Sequence, residues 1–247
     1  MELKAFFEEN NKLALAFSGG VDSAYLLYAA KSWGADVKAY YVKTPFQPEF
    51  EYDDALGLAK QLDVEMVTIH LEVLTDCDIT ENPKNRCYFC KKQIFNAILK
   101  QAKADGYSLI IDGTNASDDA ADRPGMVALK ELEVRSPLRE CGLTKDEIRK
   151  LSKEAGLFTH DKPAYACLAT RIPTGTPITA EKLSIAERNE GFLRSLGFRD
   201  FRIRFWGTAA KLQISETELP LLLKNRETIL EQLKNDYTEV LLDLEVR

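Results

Sequence analysis

The chain has 247 residues, 45% of them hydrophobic and 29% charged, an ordinary profile for a folded protein of one large domain or two smaller ones. A formal charge of −6 argues against a protein built to grip a nucleic-acid backbone, and the apolar runs are too short to span a bilayer. The five cysteines, an odd number behind an acidic N-terminus that does not read as a signal peptide, argue against a disulfide scaffold and for cytoplasmic thiols used in metal, redox or nucleophilic chemistry.

Residues 1–12 read as a short leading helix. Leu13 to Phe17 (LALAF) is an apolar run that fits a strand buried on both faces. It turns through Ser18-Gly19-Gly20 into a helix from Asp22 to about Trp33. A strand, a glycine turn and a helix N-terminus make an anion site, because backbone N–H groups and the helix dipole both favour negative charge there. Gly19 and Gly20 are expected to take positive φ and let the backbone approach a ligand, while Ser18 and Ser23 add hydroxyl donors. No lysine follows the glycines as in GxxxxGK[ST], and there is no GxGxxG, so two common phosphate loops are excluded.

Asp36 to Val42 reads as a second strand ending at Lys43-Thr44, Glu49 to Leu62 as a helix, and Val64 to Ile69 as a third strand. This alternation implies an α/β fold with a parallel, doubly wound sheet. Its ligand lies beyond the carboxyl ends of the strands, so Ser18–Ser23, Thr44 and the loop after His70 share one rim. His70 itself reads as a rim or packing residue.

A helix is expected after Asn82-Pro83, running to about Ala104 and carrying Cys87 and Cys90 as CxxC. Alone, that spacing fits a redox pair, half of a zinc site, part of an Fe–S cluster, or two buried thiols one turn apart. Cys77 and Cys141 show no partner pattern and read as structural. Ser108 to Asp112 reads as a fourth strand, followed by Gly113-Thr114-Asn115 and an acidic loop over 117–125 that contains Arg123. Carboxylates on this rim suit Mg²⁺ and a ribose, and Mg²⁺ would neutralise a pyrophosphate leaving group. Val134 to Leu138 is a candidate fifth strand. Thr144-Lys145-Asp146-Glu147 is a capping box opening a helix to about Ala155, stopped by Gly156.

Residues 160–179 read as an extended linker holding Cys167 four residues before Arg171, a cation that favours the thiolate. A smaller unit follows: a helix from about Thr179 to Leu196, with Glu187 and Glu190 on one face, and an alternating strand, Phe201 to Phe205. That alternation puts Arg202 and Arg204 side by side opposite the core, where two guanidiniums suit a phosphate or carboxylates. Lys211 to Ile214 reads as a strand, Ser215 to Glu218 as the cap of a helical region to about Asp236, and Tyr237 to Leu244 as a closing strand. The domain expectation is 1–159, a linker over 160–179, and an α+β unit over 180–247.

The string SGGVDS at 18–23 resembles the PP-loop of the ATP pyrophosphatases, which hold the pyrophosphate end of ATP while AMP is transferred. With NPKNRCYFCKK at 82–92, DGTNASDDAADRPG at 112–125, SPLRECGLTKDEIR at 136–149, ACLATRIPTGTPIT at 166–179 and FRIRFWG at 201–207, the chain is similar to the LarE family of sulfur transferases, which mature the nickel-pincer nucleotide cofactor of lactate racemase. The resemblance implies that ATP adenylates the carboxylates of pyridinium-3,5-biscarboxylic acid mononucleotide and that sulfur displaces AMP to leave thiocarboxylates. In one version of the family the cysteine matching Cys167 gives up its own sulfur. In the other, three cysteines hold a [4Fe-4S] cluster with one iron free for extra sulfide. The presence of Cys87, Cys90 and Cys167 matches the second.

These readings place Ser18, Gly19, Gly20, Val21, Asp22, Ser23, Thr44, Gly113, Thr114 and Arg123 around ATP, with Asp22, Ser23 and Cys167 catalytic. Arg171, Arg202 and Arg204 take the substrate, Cys87, Cys90 and Cys167 the cluster, and Glu190 matches an acidic residue near a metal position. A second acidic position expected in the strand at 211–214 is Gln213, which puts a metal role for that strand in doubt. A sulfide source and a homo-oligomer joined through the C-terminal unit are also implied, with no nucleic acid or membrane as partner. Three rival readings are a tRNA-thiolating PP-loop enzyme, an ammonia-using synthetase such as NAD synthetase, which leaves the three cysteines without a role, and a nucleotide-binding regulator without turnover.

Overall fold

The structure is a computed structural model that describes residues 2–118 and 124–245. After α1 (Leu3–Glu9), strands and helices alternate: β1 (Lys12–Ala16), α2 (Val21–Ser32), β2 (Asp36–Lys43), α3 (Glu49–Gln61) and β3 (Met66–His70). Then come α4 (Cys77–Thr80), α5 (Arg86–Ala104), β4 (Ile110–Asp112), α6 (Pro124–Glu131), α7 (Pro137–Glu140) and α8 (Lys145–Glu154). Among the described residues β1 to β4 form an all-parallel sheet in the order β3-β2-β1-β4. The apolar run Leu13–Phe17 therefore lies at the sheet's centre, which is why it carries no polar alternation.

Leu13 and Leu15 face a core built with Ala24, Leu27, Ala39, Tyr41, Leu58 and Ile111. Ala14 faces the other way, into a core with Tyr40, Val42, Phe95, Ile98, Ile110 and Leu129. Both faces are covered by helices, so the doubly wound reading holds. Two strands start two residues later than their apolar pattern predicts. Val64 N donates to Ala59 O, and Tyr107 N to Ala102 O, so these residues close the preceding helices across Asp63 (φ 50°) and Gly106 (φ 84°).

Two elements depart from expectation. The fifth strand over 134–138 is not formed: Arg135 makes a single bridge to Ile111, and Pro137 then opens α7. The loop after 123 becomes α6, while Arg123 lies outside the described residues. The capping box is as expected, with Thr144 Oγ1 accepting from Glu147 N and the Glu147 carboxylate accepting from Thr144 N at 2.8 Å.

Contacts divide the chain into two units, residues 1–73 with 85–164, and residues 74–84 with 165–247. In the second unit, Asn82 ties the 74–84 segment down: its Nδ2 donates to Pro173 O at 2.9 Å, and its own carbonyl accepts from Gly175 N at 2.8 Å. Asn82 takes φ 55°, a left-handed conformation that asparagine tolerates. The stretch 160–179 is less extended than expected, since 3₁₀ turns occupy Phe158–Asp161 and Leu168–Arg171. Next come α9 (Ala180–Ser195), β5 (Phe201–Trp206), β6 (Ala209–Ile214), α10 (Leu219–Lys224), α11 (Arg226–Leu233) and β7 (Val240–Leu242). The helical region expected to run to Asp236 breaks at Asn225, which caps α10 and precedes α11. β5 and β6 are antiparallel and β7 adds in parallel to β6.

Candidate active site

In the first unit the glycine turn joins β1 to α2. Gly19 has φ +72°, and a Cβ there would sit 2.9 Å from Ala55 Cβ, so both backbone and space demand glycine. Gly20 differs from expectation. It is extended (φ −77°), and a Cβ would meet nothing nearer than Ser18 Oγ at 3.5 Å. The two serines brace the turn. Ser23 Oγ donates to Gly20 O at 3.1 Å and lies 3.1 Å from Ser18 Oγ. No side chain caps α2, which leaves its first-turn N–H groups aimed at the rim without a side-chain acceptor.

Gly113 abuts this turn, since a Cβ on it would lie 2.9 Å from Ser23 N. Thr114 and the loop beyond β4 are held by Asp112, whose two carboxylate oxygens accept from Ser136 Oγ at 2.6 Å and Thr114 Oγ1 at 2.5 Å. Asp22 is the charged centre of the rim. Its Oδ1 accepts from Asn115 Nδ2 at 3.2 Å and its Oδ2 from Lys145 Nζ at 2.5 Å. Thr44 lies at the end of β2, as expected, but its hydroxyl is engaged locally with Gln47 Oε1 at 2.7 Å. His70 is exposed at the end of β3.

Cys87 and Cys90 stand about one turn apart at the start of α5, Cys87 exposed and Cys90 half-buried. Arg86 Nη2 lies 3.6 Å from Cys87 Sγ, and its guanidinium rests 6.0 Å from the Phe46 ring centroid. None of the five cysteines is in a disulfide. Cys77 is exposed, whereas Cys141 is half-buried and burial pushes its thiol pKa up.

In the second unit, Cys167 precedes the 3₁₀ turn, and its carbonyl accepts from Thr170 Oγ1 at 2.8 Å. The turn hangs on a buried ion pair. Arg171 and Glu190 are 1% and 2% exposed. Glu190 Oε1 accepts from Arg171 Nε at 2.7 Å and Ile203 N at 2.9 Å. Its Oε2 accepts from Arg171 Nη2 at 2.9 Å and Tyr165 OH at 2.6 Å. Arg171 Nη1 donates to Ala166 O at 3.0 Å and Thr170 Oγ1 at 2.8 Å, which fixes the backbone on both sides of Cys167. Burial works against the Arg171 charge, but the hydrogen bonds to Glu190 outweigh it and raise its pKa. Burial, reinforced by the Glu190 charge, pushes the Tyr165 hydroxyl up. All four favourable acceptor positions of Glu190 are filled, so acting as a metal ligand would require it to release a partner.

The two arginines of β5 separate in the fold. Arg202 is 2% exposed, with its guanidinium 4.9 Å from the Tyr165 ring centroid, because that ring provides a buried flat surface for it. Arg204 is exposed and lines a cavity of about 210 Å³ with Thr170, Arg171, Trp206, Lys211 and Gln213. Among the described residues no group of three His, Cys, Asp or Glu side chains is gathered to hold a metal ion.

No family model matches the chain. An uncharacterized protein of Synechocystis sp. is 36% identical over 88% of this chain and 81% of its own length. The pyridinium-3,5-bisthiocarboxylic acid mononucleotide synthase of Lactiplantibacillus plantarum is 31% identical over 98% of this chain and 89% of its own length. The chain belongs to the LarE family. The tRNA-specific 2-thiouridylase MnmA of Clostridium perfringens is more distant, 27% identical over 61% of this chain and 53% of its own length. This LarE-family chain is a PP-loop enzyme of the ATP-dependent, sulfur-transferring class. Each unit holds a residue that motif reading alone did not single out. Lys145, read as part of a capping box, also reaches Asp22, and Tyr165, unremarkable in the sequence, organises the ion pair beside Cys167.

Proposed function

We propose that this chain uses ATP to adenylate the carboxylates of pyridinium-3,5-biscarboxylic acid mononucleotide and exchanges AMP for sulfur. The observation that carries this reading is the likeness, along 98% of the chain, to a synthase named for the bisthiocarboxylic product. A substrate carboxylate oxygen attacks the α-phosphorus of ATP, and pyrophosphate leaves. A sulfur nucleophile then attacks the acyl carbon, AMP leaves, and a thiocarboxylate remains. The second carboxylate repeats the sequence.

The N–H groups of the α2 first turn receive the phosphates, and Gly19 keeps the turn open. Lys145, bonded to Asp22 beside the turn, adds a positive charge for the pyrophosphate. Mg²⁺ entering with ATP would be held by Asp22 and would neutralise the leaving group. Arg171 and Glu190 keep the backbone around Cys167 in one conformation.

Cys87 and Cys90 fit a pair of cluster ligands in donor chemistry and spacing, and on this reading Cys167 supplies the third thiolate. Such a [4Fe-4S] cluster, held by these thiolates, would supply the sulfur-carrying chemistry, with sulfide coming from a separate source. Anaerobic reconstitution then gives about four irons per chain, lost in Cys87→Ala, Cys90→Ala or Cys167→Ala; unchanged iron in all three leaves sacrificial donation by Cys167.

The test of the main reading is pyrophosphate release from ATP. Release stimulated by the pyridinium biscarboxylate and indifferent to tRNA supports it. Release stimulated by tRNA alone makes the chain a tRNA-thiolating enzyme, and no release with either makes it a nucleotide binder.

A further inference from the structure

Tyr165 stands two residues before Cys167, just outside the motif at 166–179. Its phenol donates to Glu190 Oε2 at 2.6 Å, and its ring centroid lies 4.5 Å from the Arg171 guanidinium and 4.9 Å from that of Arg202. Glu190, on α9, is tied to Arg171 by two hydrogen bonds and to β5 through Ile203 N. Arg171 Nη1 carries the connection onward to Ala166 O and Thr170 Oγ1. The cysteine's own carbonyl then accepts twice from Thr170, from Oγ1 at 2.8 Å and from the backbone N at 3.0 Å. A continuous run of hydrogen bonds thus leads from the phenol to Cys167, anchored on a helix and a strand of the same unit.

A buried ion pair adds little net stability, because the desolvation of both charges offsets their attraction, and apolar side chains would fill the same volume without that cost. What a fully bonded polar network does supply is one conformation, since each donor and acceptor has a set direction. Here the part so held is the turn that begins at Cys167. Burial, reinforced by the Glu190 charge, keeps the phenol protonated, so it remains a donor at neutral pH. We propose that Tyr165 is a positioning residue for sulfur transfer: through Glu190 and Arg171 it holds Cys167 where the sulfur can serve the activated acyl carbon. This role rests on the sulfur-transferring reading above, and it holds whether Cys167 ligates a cluster or gives up its own sulfur. It does not extend to adenylation, whose phosphate-binding turn belongs to the first unit.

The test compares the full wild-type chain with Tyr165→Phe, which keeps the ring against both guanidiniums and removes only the hydroxyl. In a single turnover with ATP, sulfide and the pyridinium biscarboxylate, the variant releases pyrophosphate in the same burst as the wild type, but forms thiocarboxylate about tenfold more slowly, the effect of one lost hydrogen bond to a charged group. Amide hydrogen exchange, read by mass spectrometry, is faster over 167–172 in the variant and unchanged over 18–32. Thr170→Val interrupts the run at its last side-chain bond, leaves the bonds between Arg171 and Glu190 in place, and gives the same split between the two steps. Wild-type thiocarboxylate formation in both variants, an equal fall in both steps, or unaltered exchange at the turn overturns the positioning role. A wild-type chain that forms no thiocarboxylate overturns the underlying reading, and the role with it.

Discussion

At the residue scale, the two glycines of the turn have different jobs. Gly19 combines a left-handed φ of +72° with a neighbour 2.9 Å from any Cβ, whereas Gly20 has neither constraint. Gly19→Ala therefore costs stability, about 1–2 kcal/mol from the backbone alone, and abolishes pyrophosphate release because the turn must shift. Gly20→Ala folds normally, and thermal melts with a pyrophosphate assay separate the two. The motif SGGVDS was legible in the sequence, but which glycine carries the strain was not, because strain depends on Ala55, 36 positions away in the chain. The arginines of β5 teach the same lesson. Alternation correctly put Phe201, Ile203 and Phe205 inward, yet it could not show that Tyr165 provides a buried surface for Arg202.

At the element scale, periodicity located most helices and strands because their apolar patterns are long and unambiguous. The stretch over 134–138 misled because its apolar residues belong to one bridge and the start of a helix. The capping box of α8 is local chemistry, fully written in four residues. Thr144→Ala destabilises the chain by about 1 kcal/mol. Since Lys145 follows directly and contacts Asp22, the same substitution also weakens ATP affinity, which nucleotide titration checks. Six tyrosines across the elements, Tyr25, Tyr40, Tyr41, Tyr107, Tyr165 and Tyr237, have hydroxyl pKa values above the ordinary 10.0, chiefly because burial disfavours the phenolate. The folded state holds these protons more tightly than the unfolded state. Stability from them is full below pH 10 and is lost as pH rises beyond it. In alkali, tyrosinate absorbance from these groups is expected to rise together with unfolding; a rise completed before unfolding would contradict the burial described here.

At the scale of the whole molecule, the two units show why the site was only partly legible. Residues 74–84 belong with the C-terminal unit through Asn82 and the turn it holds at 172–176, a pairing across ninety positions that no local pattern encodes. Within the described residues no helix is long and apolar enough to cross a membrane. β7 lies at a sheet edge with Leu241 and Leu242 exposed, and Leu244 beyond it is also exposed. An apolar edge of this kind favours self-association, and we propose it as the contact for the homo-oligomer that the family resemblance implies. Leu242→Asp with Leu244→Asp lowers the mass seen by light scattering; an unchanged mass places the contact elsewhere or shows a monomer.

The most direct test of the central claim is mass spectrometry of both substrate and protein after several turnovers with ATP, sulfide and pyridinium-3,5-biscarboxylic acid mononucleotide under anaerobic conditions. The expected result is a mononucleotide in which each carboxylate has exchanged one oxygen for sulfur, and a chain of unaltered mass. A chain that has lost H₂S at Cys167 would contradict the cluster route. Unchanged mononucleotide would contradict the assignment as a whole.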